Sequence, residues 1–198
     1  MTSEERRELR YQRRKAKRDE ARLKRSMACG DFDEVFSFRH LYLSAKKCCK
    51  GVYWKNSTQR FIGNLIPNVA ELYTSLQAGT FKHKGFHEFD LMERGKKRHI
   101  RSIHITERTV QKCLCDYCIV PIFSSSFIYD NSASLKNRGM DFALRRMIRH
   151  LHQHYRKHGL TGGVLIFDFK SFFDDAPHEP LMFEAQRRLH DDRIRALH

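Results

Sequence analysis

The stretch that decides the fold is residues 162–174, which read Gly162-Gly163-Val164-Leu165-Ile166-Phe167-Asp168-Phe169-Lys170-Ser171-Phe172-Phe173-Asp174. The run 164–167 is short, continuous and apolar, a pattern typical of a central sheet strand that is buried on both faces. Asp168 follows this predicted strand directly. A carboxylate beside a buried strand is costly unless it is paired, hydrogen-bonded or bound to a metal ion, so its position is informative.

Two roles fit an aspartate in this position. In two-metal phosphoryl transfer, acidic groups on neighbouring strands hold two metal ions roughly 4 Å apart. Magnesium prefers such hard oxygen ligands. A carboxylate that caps a following helix would stand in the same place, so the residues alone leave both roles open.

The sequence upstream of this stretch predicts a mostly helical α+β chain with one hairpin. Apolar residues at helical spacing predict two packed helices that end at Gly51 and Gly79. Residues 85–105 predict a β-hairpin with its turn at 94–96 and a strongly basic tip.

Two further helices are predicted after the hairpin. Thr106 is the expected cap of the first, which should end before Pro121. After a polar loop, residues 140–158 have the amphipathic pattern of a helix with one apolar side, and Gly159 is expected to end it.

The charge of the chain predicts its partner. Its 38 Lys and Arg stand against 23 Asp and Glu, a formal net charge of +15. Lys and Arg that neutralise phosphates release counterions and supply most sequence-independent affinity for nucleic acid, so DNA or RNA is expected. No run approaches the roughly 18 apolar residues of a membrane-spanning helix, and the N-terminus lacks the apolar core of a signal peptide. We therefore expect a cytoplasmic protein without a membrane partner.

The six cysteines are expected to be reduced in that compartment. Cys115 and Cys118 resemble half of a zinc site, and His150 and His154 lie one helical turn apart. No second Cys or His pair follows at the spacing of a zinc finger. The favoured interpretation is therefore half-buried thiols and a basic helix face.

Three segments of the chain carry linked motifs. Residues 98–111 begin with Arg and end in Arg-Thr-Val-Gln, and residues 127–136 end in Ser-Ala-Ser-Leu-Lys. Residues 167–174 read Phe-Asp-Phe-Lys-Ser-Phe-Phe-Asp and are followed by His178 and Leu181. In this order they resemble the first and second fingers motifs and the Asp-x-x-x-Phe-Phe/Asp palm motif of group II intron-type and related bacterial reverse transcriptases.

The resemblance implies a right-hand polymerase fold, of which the chain holds the fingers and part of the palm. Three regions are predicted: a basic helical arm over 1–30, the fingers over 31–159, and the beginning of the palm, with its central strand, over 160–198.

The resemblance also implies site residues. Asp168 would bind a metal ion, and the carbonyl of Phe169 would contact the nucleotide-bound ion. Phe173 matches the steric gate, because a bulky ring there would collide with a ribose 2′-hydroxyl. Arg98 matches the arginine that clamps the triphosphate. Lys136 stands where the second motif has Arg, which keeps the charge but loses the planar fork.

The basic residues expected to track the nucleic-acid backbone are Arg13, Arg14, Lys96, Lys97, Arg101 and Arg108. Two positions depart from the family pattern: Arg101-Ser102-Ile103 replaces a Gly-Ile-Pro, and Ser134 replaces a Gly.

The implied function is that of an RNA-directed DNA polymerase of a bacterial mobile or retron-type element. Its partners would be an RNA template, a DNA primer and deoxynucleoside triphosphates, and its cofactor two Mg²⁺ ions. The family's paired-aspartate hairpin is missing. Residues 189–193 mimic its letters in helix-like sequence and are rejected as the catalytic pair. The chain alone is therefore expected to be an inactive N-terminal fragment that needs the remaining palm and the thumb.

Two other functions remain open on the sequence. A non-catalytic RNA-binding module derived from a reverse transcriptase would bind RNA through its basic residues without using Asp168. A basic metalloprotein would use the Cys and His clusters.

Overall fold

The computed structural model describes residues 2–170, 172 and 175–197. These residues form two compact units, Met1–Ser124 with Met182–His198, and Ser125–Leu181. The described part is mostly helical and contains one two-stranded antiparallel sheet, as the prediction of an α+β chain requires. The predicted boundary between residues 159 and 160 falls inside the second unit.

The first unit begins with the predicted basic helix, α1 (Ser3–Ala28). Its start is fixed by a reciprocal cap, in which the Thr2 side chain accepts from the backbone of Glu5 and the Glu5 carboxylate accepts from the backbone of Thr2, 2.7 Å away. Most of α1 is exposed, and the buried Ser26 lies near its end. The helix thus presents its basic residues to solvent over most of its length.

Four helices follow, α2 (Phe32–Val35), α3 (Phe38–Cys49), α4 (Asn56–Gly63) and α5 (Leu65–Gln77). The sequence predicted two helices ending at Gly51 and Gly79, and both glycines do adopt left-handed conformations, with φ of 81° and 66°. The second predicted helix is divided at Asn64. Pro67 explains the break, because a proline has no N–H to donate and its ring would clash with the carbonyl of Gly63 in a continuous helix.

The core of the first unit lies where α3 packs against α5 and the later helix α6 (Ile105–Leu114). Its largest fully buried side chains include Phe36, Leu41 and Val69. Cys113 of α6 is also fully buried, and its thiol donates to the carbonyl oxygen of Val35, 3.2 Å away. Burial of apolar area of this kind is the main favourable term in folding.

The predicted hairpin is confirmed as β1 (Phe86–Glu93) and β2 (Lys96–Ile103), paired in antiparallel register. Its turn consists of Arg94 and Gly95, with φ of 49° and 77°. Two left-handed residues make a type I′ turn, whose twist matches that of the flanking strands. Both strands are largely exposed, so the first unit's core does not cover them.

Helix α6 corrects two predictions. Its cap is His104 rather than Thr106, since the His104 ring accepts from the Thr106 N–H. The helical path also does not stop before Pro121: it continues through a π-helical segment (Cys115–Ile119) into α7 (Val120–Phe123). The π segment shifts the hydrogen bonding, with Val120 N–H donating to Cys115, so Pro121 enters at the start of α7, where its missing N–H costs little.

The last two helices are α9 (His178–Arg188), which spans the boundary between the units, and α10 (Asp192–Arg195). Among the residues that the structure describes, no helix is long and apolar enough to cross a membrane.

The second unit is built around the predicted helix α8 (Met140–His158), which Gly159 ends with a φ of 63°. The preceding polar loop is held to α8 by Asp130, which pairs with Arg146 and lies 2.6 Å from the His150 Nε2. These contacts lower the pKa of Asp130, the Arg146 hydrogen bond most strongly. No residue of α8 is buried, and its predicted apolar side, which includes Leu144, Met147 and Leu151, is largely exposed.

The predicted central strand at 164–167 is not formed. The backbone over 161–169 is irregular, and Val164, Leu165, Ile166 and Phe167 are between 69% and 86% exposed. A strand is stabilised by hydrogen bonds to a neighbouring strand, and the only sheet among the described residues is the β1–β2 hairpin. Residues 164–167 therefore lack the neighbouring strand that a central sheet strand requires.

Replacing Phe36 with Ala should destabilise the first unit by about 3–5 kcal/mol, because it removes a fully buried ring and leaves a cavity. Urea denaturation followed by circular dichroism measures this change. The matched control is Ile66→Ala on the exposed side of α5, where Ile66 is 64% exposed and a change within about 0.5 kcal/mol is expected. Equal losses in the two variants would contradict the placement of the core.

Candidate functional site

The palm-like segment places Asp168 in the irregular stretch of the second unit, exposed to solvent. No hydrogen bond or ion pair joins its carboxylate to any other described residue. Phe169 beside it is 74% exposed, and its ring lies 6.3 Å from that of Phe172. Phe173, the predicted steric gate, lies outside the described residues. The Asp168 carboxylate is thus open to a ligand from solvent.

The same unit carries Lys136, exposed in the loop before α8. Nearby Ser134 has a φ of 60°, in the left-handed region that glycine adopts most readily. The fingers motif that this segment resembles has Gly at that position. Ser134 therefore adopts a conformation that is uncommon for a residue with a side chain.

A two-ion magnesium site needs several carboxylate oxygens around both ions. Asp168 can supply one carboxylate and Phe169 its carbonyl oxygen, which suits one part of such a site. Over the described ranges, no three or more His, Cys, Asp or Glu side chains are grouped so that they could hold a metal. The described residues therefore fit a single contribution to a magnesium site and do not complete it.

The cysteine and histidine clusters have other contacts in the structure. Cys113 and Cys118 are buried in the core of the first unit, and burial raises the pKa of Cys113 to about 12. In the second unit His150 contacts Asp130, and the His154 Nε2 lies 2.7 Å from the carbonyl oxygen of Thr161. These contacts engage Cys113, His150 and His154, and Cys118 is buried, whereas Cys115 is exposed.

The hairpin brings together four of the predicted nucleotide-binding and backbone-tracking residues, Lys96, Lys97, Arg98 and Arg101, on β2. Strand β1 supplies a carboxylate for three of them. The Arg98 Nε lies 3.1 Å from Glu93, the Lys97 Nζ 2.9 Å from Asp90, and the Arg101 Nε 3.0 Å from Glu88. The hairpin is therefore less positive than the sequence of β2 alone predicts.

His99 lies between two of these carboxylates. Its Nδ1 is 3.0 Å from Asp90 and its Nε2 is 3.4 Å from Glu88. The hydrogen bond to Asp90 is the largest cause that raises the pKa of His99, and hydrogen bonds from Lys97 and His99 lower the pKa of Asp90. All these pairs are exposed, so each contributes little to stability and can exchange for another anion.

The other predicted backbone-tracking residues lie on helices of the first unit. Arg13 and Arg14 are exposed on α1, and Arg108 is exposed on α6. None of the three forms an ion pair with another residue that the structure describes. Their charges are therefore available to phosphate.

The rejected pair Asp191-Asp192 has structural roles. Asp191 caps α10, accepting from Ile194 N–H at 3.0 Å, and also accepts from Phe32 N–H at 2.8 Å. Burial of Asp191 favours its neutral form, but these backbone hydrogen bonds outweigh burial and lower its pKa. The Asp192 carboxylate lies 2.7 Å from Arg195. Both acids therefore stabilise α10 in the structure.

Sequence reasoning missed a set of cations around the start of α6. Arg60, Lys82 and Lys84 line one cavity there, and Lys55 and Lys84 line a second. These residues come from two separate segments of the chain, 55–60 and 82–84, and follow no motif, so only the fold brings them together.

No model of a known protein family matches the chain, and no curated protein matches it at a significant level.

Removing the Asp191 side chain should weaken the attachment of α10 to α2. Asp191→Ala loses the cap and the bond to Phe32, and should lower the free energy of unfolding by about 1–3 kcal/mol at neutral pH. Because the pKa of Asp191 is lowered in the folded state, its contribution is present above the ordinary value of 3.8 and is lost as the pH falls through the lowered value. Urea denaturation at several pH values measures both effects.

The matched control is Asp192→Ala, since the Asp192 side chain is 89% exposed and its pair with Arg195 is local. A loss below about 1 kcal/mol is expected for it. If Asp192→Ala lowered the free energy of unfolding as much as Asp191→Ala does, the negative charge at the start of α10, and not the hydrogen bond to Phe32, would account for the stabilisation.

In the hairpin, replacing Asp90 with Asn should move the pKa of His99 back toward its ordinary value of 6.5, since the main hydrogen bond that raises it is gone. Titration of the His99 ring by NMR measures the change. Because the pKa is raised in the folded hairpin, this contact helps the hairpin fully below pH 6.5 and ceases to help as the pH rises through the raised value.

Glu93→Gln is the control for this measurement, because Glu93 contacts Arg98 and should leave the His99 titration unchanged. If the pKa of His99 were the same in the Asp90→Asn variant as in the wild type, the contact between His99 and Asp90 would be ruled out.

Proposed function

We propose that the chain is part of an RNA-directed DNA polymerase of a bacterial mobile or retron-type element. The observation that carries the proposal is the motif at 167–174, in which Asp168 follows an apolar run and is followed by Phe172 and Phe173. The proposed partners are an RNA template, a DNA primer and deoxynucleoside triphosphates, and the proposed compartment is the cytoplasm.

Three features of the structure support this proposal. The Asp168 carboxylate is exposed and has no partner among the described residues, so it is accessible to a metal ion from solvent. Ser134 has the left-handed backbone that glycine favours, in the segment that resembles the second fingers motif. Arg98 stands on an exposed β-hairpin, the element expected to carry the first fingers motif.

In the proposed enzyme, Asp168 and the Phe169 carbonyl would hold magnesium together with further palm carboxylates that are not among the described residues. Bound magnesium would neutralise charge on the phosphates and help to activate the primer hydroxyl. By this proposal the described part alone does not polymerise, and the remaining palm and the thumb complete the site.

Arg98 would bind the triphosphate by releasing its ion pair with Glu93. Its pair with Glu93 is exposed, at 60% and 49% of the two side chains, and therefore contributes little. A triphosphate offers more charge and a bidentate geometry to the guanidinium. Lys136 would add a point charge, and Phe173 would exclude ribonucleotides by contact with the 2′-hydroxyl.

Primer extension by the full product of the encoding gene tests this proposal. Asp168→Asn should slow extension by at least about a hundredfold, because a metal ligand contributes several kcal/mol to the transition state. The matched control is Asp175→Asn, an exposed acid nearby that has no proposed role and should leave the rate unchanged. Equal extension by wild type and Asp168→Asn would overturn the role of Asp168.

A second candidate is a non-catalytic RNA-binding module. The observation that favours it is α1, where Arg13 and Arg14 are exposed and form no ion pair with described residues. Such a module would bind RNA with an affinity that falls as salt rises and that does not depend on Asp168. Salt-dependent binding without any primer extension by the full gene product would favour this function.

A further inference from the structure

Two adjoining cavities lie beside the start of α6 in the first unit. The first has a volume of about 580 Å³ and lies among α4, α5, residues 80–84 and the first turn of α6. The second, of about 400 Å³, lies between the start of α4, the base of the hairpin and α6. Ser57, Lys84, His104 and Ile105 line both, so the two cavities form one groove.

The groove is lined by five cations whose charges are not neutralised. The residues are Lys55, Arg60, Lys82, Lys84 and Arg108. None of them forms an ion pair with any residue that the structure describes. The hairpin cations Lys97, Arg98 and Arg101, by contrast, each lie within 3.1 Å of a carboxylate of β1. The groove thus concentrates unpaired positive charge that the hairpin does not.

Only one carboxylate, that of Glu71, is among the described residues that line the groove, and it lies in the first cavity. Glu107 is close by but buried, and its side chain accepts from the Lys84 N–H and lies 3.8 Å from the His83 ring. It therefore fixes the backbone that carries the lysines, and its charge, which acts to raise the pKa of His104, offsets part of the positive charge near the groove.

Neutral hydrogen-bond donors complete the lining. Ser57 and Thr106 contribute hydroxyls, and the start of α4 has no side-chain cap on its first backbone N–H groups. Burial, and then the charge of Lys84, lower the pKa of His104, which suits its role as the neutral acceptor that caps α6. The cations, not the helix ends, provide the main attraction for an anion.

Aromatic side chains flank these cations. Phe81 lines the first cavity and Phe86, 63% exposed, lines the second. Phe81 is partly buried against the core, whereas the Phe86 ring is exposed beside the cations. An exposed ring beside a cationic track suits a base attached to a phosphate, because every base can stack on a ring while its phosphate meets a lysine or arginine.

We propose that this groove binds the phosphate groups of a nucleotide-bearing ligand, either a single nucleic-acid strand or a free nucleotide. Arg108 was predicted to contact the nucleic-acid backbone. The proposal assigns phosphate binding also to the other groove cations, which belong to no motif. Phosphate binding there does not depend on the proposed polymerase activity, since Asp168 and its segment take no part in it.

The test uses the full chain and two probes, a fluorescent oligouridylate of about ten nucleotides and free UTP, at about 0.15 M salt. The double variant Arg60→Gln with Lys84→Gln removes two groove charges. The control, Arg39→Gln with Lys50→Gln, removes the same charge from exposed positions of α3 and its end, outside both cavities.

The groove variant should weaken binding by about tenfold or more, and the control by less than about threefold. Weakening of the oligouridylate alone assigns the groove to a strand, and weakening of UTP as well assigns it to nucleotides in general. Equal losses in variant and control would overturn the proposal, since only the total charge of the protein would then matter.

Glu71→Gln provides a test in which binding is expected to become tighter rather than weaker. Removing the one described carboxylate in the lining should tighten binding by about threefold, without removing any side chain from the core. Unchanged or weaker binding of both probes by this variant would also overturn the proposal. Primer extension by the same variants reports separately on the polymerase, so failure of one proposal is distinguishable from failure of the other.

Discussion

Cys113 of α6 lies fully buried against the end of α2, with its thiol 3.2 Å from the carbonyl oxygen of Val35. Burial raises its pKa to about 12, so the thiol stays protonated and remains a donor. Six residues before it, Glu107 fixes the chain at Lys84, and β2 runs directly into the cap of the helix at His104. The position of the hairpin base and of the basic groove therefore depends on how firmly this one helix is held in the core.

Features that depend on local chemistry could be predicted from the sequence. The hairpin and its turn were predicted, although the turn is Arg94-Gly95 alone and Lys96 already pairs with Glu93, and Gly159 ends α8 where the pattern indicated. The break at Asn64 was also local, since Pro67 forbids a continuous helix, but the apolar spacing on either side of it concealed the break. The strand predicted at 164–167 was wrong for the opposite reason: a strand needs a neighbouring strand, and the composition of one segment does not show whether a neighbour is present.

The candidate site also combines local features with features that depend on the fold. The position of Asp168 and the motifs could be predicted from consecutive residues. The positive charge available to a ligand could not be predicted from the sequence, because it depends on which side chains contact one another in the fold. Register sets Glu88 and Asp90 opposite Arg101 and His99, which removes much of the hairpin's positive charge. Convergence of distant segments creates the unpaired charge of the groove.

The exposed run 164–167 has a further consequence, for the behaviour of the protein in a cell. Its four consecutive apolar residues include no proline or charge, and their backbone groups form no hydrogen bond with other residues that the structure describes. Such a run is a template for pairing with the same run of another molecule. Chaperones recognise such exposed apolar surface, and proteases remove chains that keep it exposed. Whatever covers this run in the cell therefore also governs how long the protein persists there.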